Sequence, residues 1–161
     1  MKRLEYIFID KSDWDRGPWD SEPDKVQWQD AATGLPCLAV RNPVGGNWCG
    51  YVAVCESHPW FKKHYSDDGV EIRCHGGLTF SGFCQEDDKE HGICHVPGEG
   101  EPDRVWWFGF DCMHSGDLGA AWDAKQRELL RSPFFAQNTY RTLPYVREEC
   151  AQIAQQLSRI H

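Results

Sequence analysis

Asp111, Cys112, His114 and Asp117 close the segment Val105–Asp117, Val-Trp-Trp-Phe-Gly-Phe-Asp-Cys-Met-His-Ser-Gly-Asp, and all four are polar or reactive groups that could do chemistry. The three-residue spacing of Asp111, His114 and Asp117 puts their side chains on roughly one side of a helical turn. His75 or His95 would then complete a nitrogen and oxygen shell for zinc or another divalent ion. Asp-x-x-His-x-x-Asp is not diagnostic, Gly116 disfavours a regular helix, and Asp117 has the competing role of capping a following helix. Cys112 has a conceivable base in His114 or His75 and an orienter in Asp111, the elements of nucleophilic catalysis. A structural zinc held by Cys74, Cys84, Cys94 and one of His75, His91 or His95 is a separate arrangement, though no Cys-x-x-Cys pair anchors it. No Gly-x-Ser-x-Gly elbow, phosphate-cradling loop or dinucleotide fingerprint is present.

The same residues also suit binding without turnover. Gly77 and Gly109 would floor a pocket walled by Trp107 or Trp60 and supplied with Arg73, His75, Thr79, Asp111 and His114. Stacking surface with a few fixed hydrogen-bonding groups is what a flat polar ligand such as a nucleotide requires. This pocket requires His75 and Asp111 to face the same side of neighbouring strands.

The element that must position these residues is the bulky apolar run itself, which fits an interior strand covered on both faces. Alternation sends Trp106, Phe108 and Phe110 one way and Val105, Trp107, Gly109 and Asp111 the other. A second strand, Val70–Phe80, carries Ile72, Cys74, Leu78 and Phe80 on its apolar face and Glu71, Arg73, His75, Gly77 and Thr79 on its polar one, interrupted by Gly76-Gly77. Leu4–Ile9 reads as a first strand. Lys11–Gln29 is irregular, an arm pinned by Trp14, Trp19 and Trp28. Leu35–Arg41 and Asn47–Cys55 read as a hairpin across Asn42-Pro43-Val44-Gly45-Gly46, and Ile93–Val96 as a short strand. His58 reads as a loop residue bonded to backbone. Asp117 would cap a helix over Leu118–Arg131, ended by Ser132-Pro133, and Thr142 starts a last helix on which Val146, Cys150, Ile153, Leu157 and Ile160 face inward. The expectation is a single α+β domain over 1–161, with a Trp-rich strand and arm (1–30), a core (31–161), a mainly antiparallel sheet around a central buried strand, and two C-terminal helices.

The chain has 161 residues, enough for one substantial core. Its 17 Lys and Arg against 25 Asp and Glu give a formal charge of −8, which argues against broad nucleic-acid binding. The local basic set Lys62, Lys63, His64 and Arg73 reads as a solvated face. Met1–Asp10 is too quickly interrupted to be a secretory signal, and no stretch approaches the roughly 20 apolar residues of a membrane helix. The expected location is cytoplasmic, with the eight cysteines reduced and mostly packed as small hydrophobes.

Gly34-Leu35-Pro36-Cys37, Trp48-Cys49-Gly50-Tyr51-Val52, His58-Pro59-Trp60, His75-Gly76-Gly77-Leu78-Thr79-Phe80, Ile93-Cys94-His95-Val96-Pro97 and Trp107-Phe108-Gly109-Phe110-Asp111-Cys112 with His114 resemble a family of uncharacterised bacteriophage and bacterial proteins. The resemblance runs from about Gly34 to the last helix. It implies no activity; it implies a small accessory factor acting against host defences. The function expected first is therefore recognition of a small polar, nucleotide-like ligand, with sequestration of a defence signal as its concrete form. The alternatives are a metal-assisted phosphoester hydrolase using Asp111, His114 and His75, and direct inhibition of a host protein through the acidic Ser81–Gly92 loop and the Trp-rich arm. The partner classes are a small molecule, a host defence protein or a second copy of the chain.

Overall fold

In the structure, a computed structural model that describes residues 1–85, 87–129 and 138–161, the sheet has six antiparallel strands. They are β1 (Leu4–Tyr6), β2 (Lys25–Gln29), β3 (Pro36–Arg41), β4 (Trp48–Val54), β5 (Phe80–Gly82) and β6 (Trp106–Asp111), in the order β1-β2-β3-β4-β6-β5. Two helices follow, α1 (Ala124–Leu129) and α2 (Leu143–Leu157). This is the expected α+β architecture, with β6 an interior strand paired to β4 on one side and β5 on the other.

Alternation along β4 and β6 divides the core as the sequence requires. Val52, Val54, Phe108 and Phe110 join Val146, Cys150, Ile153 and Leu157 of α2 in the larger apolar cluster. Tyr51, Ala53, Val105, Trp107 and Leu38 form a second cluster on the opposite face. The β3–β4 hairpin closes through Asn42 N–H to Asn47 O and Gly46 N–H to Asn42 O, at 2.8 Å each. Thr142 precedes α2 but does not cap it with its hydroxyl. The Leu143 N–H instead donates to Glu22 Oε1 at 2.8 Å, and Glu22 Oε2 also holds the buried Arg41 guanidinium.

Five expectations are corrected. The arm is not irregular throughout: Lys25–Gln29 is β2, paired along its length with β3, so residues 1–30 supply two strands to the common sheet. Lys25 and Gln27 hid this strand because they look solvent-facing, yet both are fully buried. Lys25 Nζ donates to Lys89 O and Gly92 O at 2.7 Å, and the Gln27 amide exchanges hydrogen bonds with Val96 N–H and O. Val70–Thr79 is not a strand, because Gly76 (φ +67°) and Gly77 (φ +85°) both turn left-handed. Its inward residues still pack on α2, and α2 side chains take its backbone: Gln156 bonds Arg73 N–H and O, and Glu149 accepts the His75 N–H. Ile93–Val96 forms no strand either.

The helix after β6 begins only at Ala124, and residues 118–122 lie across the β3–β4 turn instead, with Ala121 N–H bonded to Gly45 O. The expected end of that helix, at Arg131 with Ser132-Pro133, falls outside the described residues, as does Glu86 of the acidic loop. Cys84 and Cys94 form a disulfide, against the expectation of reduced thiols. That bond also removes two ligands from the proposed structural zinc, while Cys74 packs in the helix-side core. Among the described residues no helix is long and apolar enough to cross a membrane.

Candidate functional site

Asp117 is the hub of the site. The tight turn after β6, closed by Asp117 N–H to His114 O at 2.9 Å, brings its carboxylate back beneath the His114 N–H, which donates to Oδ2 at 2.9 Å. A one-residue parallel bridge to Thr139 fixes the chain on its far side. His75 Nε2 reaches the same Oδ2 at 2.7 Å, and Arg141 Nε donates to Oδ1 at 2.8 Å. Asp117 itself is 2% exposed. Burial opposes its ionisation, but the hydrogen bonds from Arg141 and His75 outweigh it and hold the carboxyl below the ordinary value of 3.8.

His75 is pinned at three points. Beyond Asp117, its Nδ1 lies 2.9 Å from the Tyr145 hydroxyl, and its backbone N–H donates to Glu149. Tyr145 and Glu149 project from α2 at i and i+4, so one helix face supplies both groups. Arg141 lies over the Tyr145 ring, 5.0 Å from its centroid. Its Nη1 and Nη2 have no hydrogen-bond partner among the described residues. Gly76 makes room for His114: a Cβ there would lie 2.0 Å from His114 Nε2. Gly77, by contrast, faces open space.

Not every expected residue joins this cluster. His75 lies on the helix side of the sheet, against Phe110 and Tyr145, whereas Asp111 follows Trp107 and Gly109 to the other side. Only His114, at the strand end, approaches both, with its ring 5.5 Å from that of His75 and its Nε2 3.6 Å from Asp111 Oδ1. Asp111 is occupied by the Thr79 hydroxyl at 2.9 Å and the Met113 N–H at 3.0 Å. The expected stacking wall is absent from the surface: Trp107 is fully buried against His95, and Trp60 packs on Phe108 in the other cluster. The space at Gly109 is filled by the Tyr51 ring, which would meet a Cβ at 2.3 Å. Arg73 lines a separate groove with Tyr65, Leu78 and Gln156. The pocket read from the sequence is thus not formed, and the cluster that exists is His75, His114 and Asp117 with Tyr145, Glu149 and Arg141.

Two chemistries lose ground on this geometry. Asp117 already accepts three hydrogen bonds, one from a guanidinium, so a metal ion would have to displace His75 or Arg141. Among the described residues, no group of three or more His, Cys, Asp and Glu is arranged to hold a metal. Cys112 is 2% exposed, and burial first, then the nearby Asp117, push its thiol far above the ordinary 9.0, so it stays protonated and unreactive.

Tyr145, Glu149 and Arg141 escaped sequence reading because α2 announces itself only by its apolar stripe. The one visible signal was the i, i+4 spacing of Tyr145 and Glu149 on a single side of α2; Arg141 lies just before its N-cap. Comparison with family models, curated proteins and solved structures finds no match to this chain.

Proposed function

We propose that this protein binds a small polar ligand at the His75 cluster. The observation that carries the reading is the fixing of His75 at both ring nitrogens and at its backbone N–H, beside an open glycine and an arginine whose terminal nitrogens are unpartnered among the described residues. Polar groups immobilised before a ligand arrives lose little entropy on binding it. Tyr145 packs its ring against the helix-side core, while its hydroxyl reaches the His75 imidazole. With Trp107 and Trp60 buried, the reading no longer includes a stacked base, and polar recognition is its centre. In the accessory setting that the family resemblance implies, such binding would act by sequestration.

The test is to denature natively purified, untagged protein and identify the released small molecules by mass spectrometry, beside a His75→Ala variant. A compound released in near-equimolar amount from the parent and missing from the variant is the expected result. No release, together with no thermal stabilisation by a panel of phosphorylated and carboxylated metabolites, refutes the reading.

A further inference from the structure

We infer that Tyr145, His75 and Asp117 form a proton relay that makes the Tyr145 phenol oxygen a nucleophile toward a phosphoryl group of the bound ligand. The inference rests on the small-ligand reading of the same site and gives it a reaction class, group transfer to a phenol.

The direction of the first hydrogen bond in the relay follows from its far end. Asp117 is held ionised by Arg141 and His75, and an ionised carboxylate only accepts. The proton of the 2.7 Å contact therefore sits on His75 Nε2. The relay uses the tautomer in which Nδ1 is the acceptor, and the group facing it at 2.9 Å, the Tyr145 hydroxyl, then donates. Phenol to imidazole to carboxylate is the order of a nucleophile, its base and the group that orients the base. Asp117 is the positioning residue: three donors on a buried carboxylate leave it, and hence the imidazole, a single arrangement.

Burial first, then Glu149, raise the Tyr145 phenol above its ordinary 10.0, so it rests protonated and needs a base at the moment of attack. In the step, the Tyr145 O–H bond breaks and its proton passes to His75 Nδ1 while the phenol oxygen forms a bond to phosphorus. The bond from phosphorus to the leaving alcohol breaks, and the alcohol departs with that electron pair and the proton from His75. A water then passes a proton to the same imidazole as its oxygen bonds to phosphorus; the bond from phosphorus to the Tyr145 oxygen breaks, and the departing phenol oxygen takes that proton back from His75, which releases phosphate and restores the relay. Arg141 stands over the phenol ring with Nη1 and Nη2 unpartnered among the described residues, the forked donor that suits phosphoryl oxygens.

A purely structural chain of hydrogen bonds would tie residues 70–79 to α2 equally well, so the test must read phenol reactivity. The full chain is treated with an aryl sulfonyl fluoride, which transfers its sulfonyl group to phenol oxygens with loss of fluoride. Modification of each tyrosine is followed by peptide mass spectrometry. Tyr145 is expected to react about 10-fold or more faster than the similarly half-buried Tyr65, the low end of what a positioned base supplies. In His75→Gln it should fall to the Tyr65 rate while Tyr65 itself is unchanged. Equal rates at the two tyrosines in the parent, or a Tyr145 rate that ignores His75→Gln, overturn the inference. If the variant disturbs Tyr65 as well, the ratio in the parent decides alone. Ligand release from the parent would survive either failure, so the two readings are judged separately.

Discussion

Lys25→Met separates one buried charge from everything else that titrates. Lys25 is fully buried in β2, and its amine donates to Lys89 O and Gly92 O. Burial lowers its pKa from the ordinary 10.5 to about 8, with Asp88 and Glu90 only partly opposing the change. Between pH 8 and 10.5 the unfolded chain thus holds a proton that the folded chain has released, and stability rises with pH across that window. At ~1.4 kcal/mol for each tenfold change in proton affinity, the gap between 10.5 and about 8 amounts to about 3–4 kcal/mol at most. Urea unfolding of parent and Lys25→Met at intervals from pH 7 to 10.5 measures it, because every other lysine and tyrosine is shared and cancels in the difference. Both proteins should carry Cys55→Ser, since Cys55 is exposed and its pKa is lowered by the Ser57 hydroxyl, making it the thiol readiest to attack the disulfide. The parent should gain on the variant as pH rises. Parallel curves would show that Lys25 is not desolvated in the folded state, and that loop 89–92 does not seal this face of the sheet.

Asp117→Asn should cost about 3 kcal/mol in urea unfolding, because it leaves Arg141 and His75 without their anionic partner in a buried setting. In the parent the folded pKa of Asp117 is depressed, so its stabilisation is present above the ordinary 3.8 and lost as pH falls through the lower folded value; the variant should lack that acid limb. Gly76→Ala and Gly77→Ala form a contrasting pair: both pay left-handed backbone strain of about 1 kcal/mol, but only at Gly76 does the new methyl meet His114, at 2.0 Å. Thermal melts should therefore show Gly76→Ala clearly the worse, and its His114 ring signals should move in NMR spectra. Reducing the Cys84–Cys94 disulfide should cost about 2–3 kcal/mol by freeing a short loop in the unfolded chain, read as a lower melting temperature with dithiothreitol than without.

The sequence showed most plainly those elements whose two faces differ or are both apolar. The alternation of β6, the β3–β4 turn residues and the stripe on α2 were all legible, because burial of a bulky side chain has one periodicity in a strand and another in a helix. β2 was not, because Lys25 and Gln27 are buried by bonding to loop carbonyls 64 and 69 residues away in sequence, which no local pattern records. Within the site, His75, His114 and Asp117 were singled out by type and do meet. Trp107 was misread for a definable reason: alternation assigns a residue to a face but not to the surface of that face, and loop 93–96 covers it. Asp111 shared a strand with the site and lost it to the same alternation.

The cluster is at once a candidate site and a tertiary clamp, since Asp117 joins the turn after β6, the 70–79 segment and the approach to α2. A loss of function in Asp117→Asn is accordingly ambiguous, and a loss of ligand in His75→Ala counts only where the variant melts as the parent does. Tyr145→Phe is not ambiguous. It keeps the ring on which Arg141 stacks and removes one hydroxyl from a half-buried position, where water can replace it at the His75 nitrogen. Its stability should stay within about 1 kcal/mol of the parent, the usual worth of one such hydrogen bond. If Tyr145 only helps to hold the ligand, the variant should release less of the same compound on denaturation. If the relay also transforms it, the variant should release a form of the ligand that retains its phosphoryl ester, where the parent releases the cleaved one. An unstable Tyr145→Phe would instead place the hydroxyl in the framework of the fold, and the relay would lose its nucleophile.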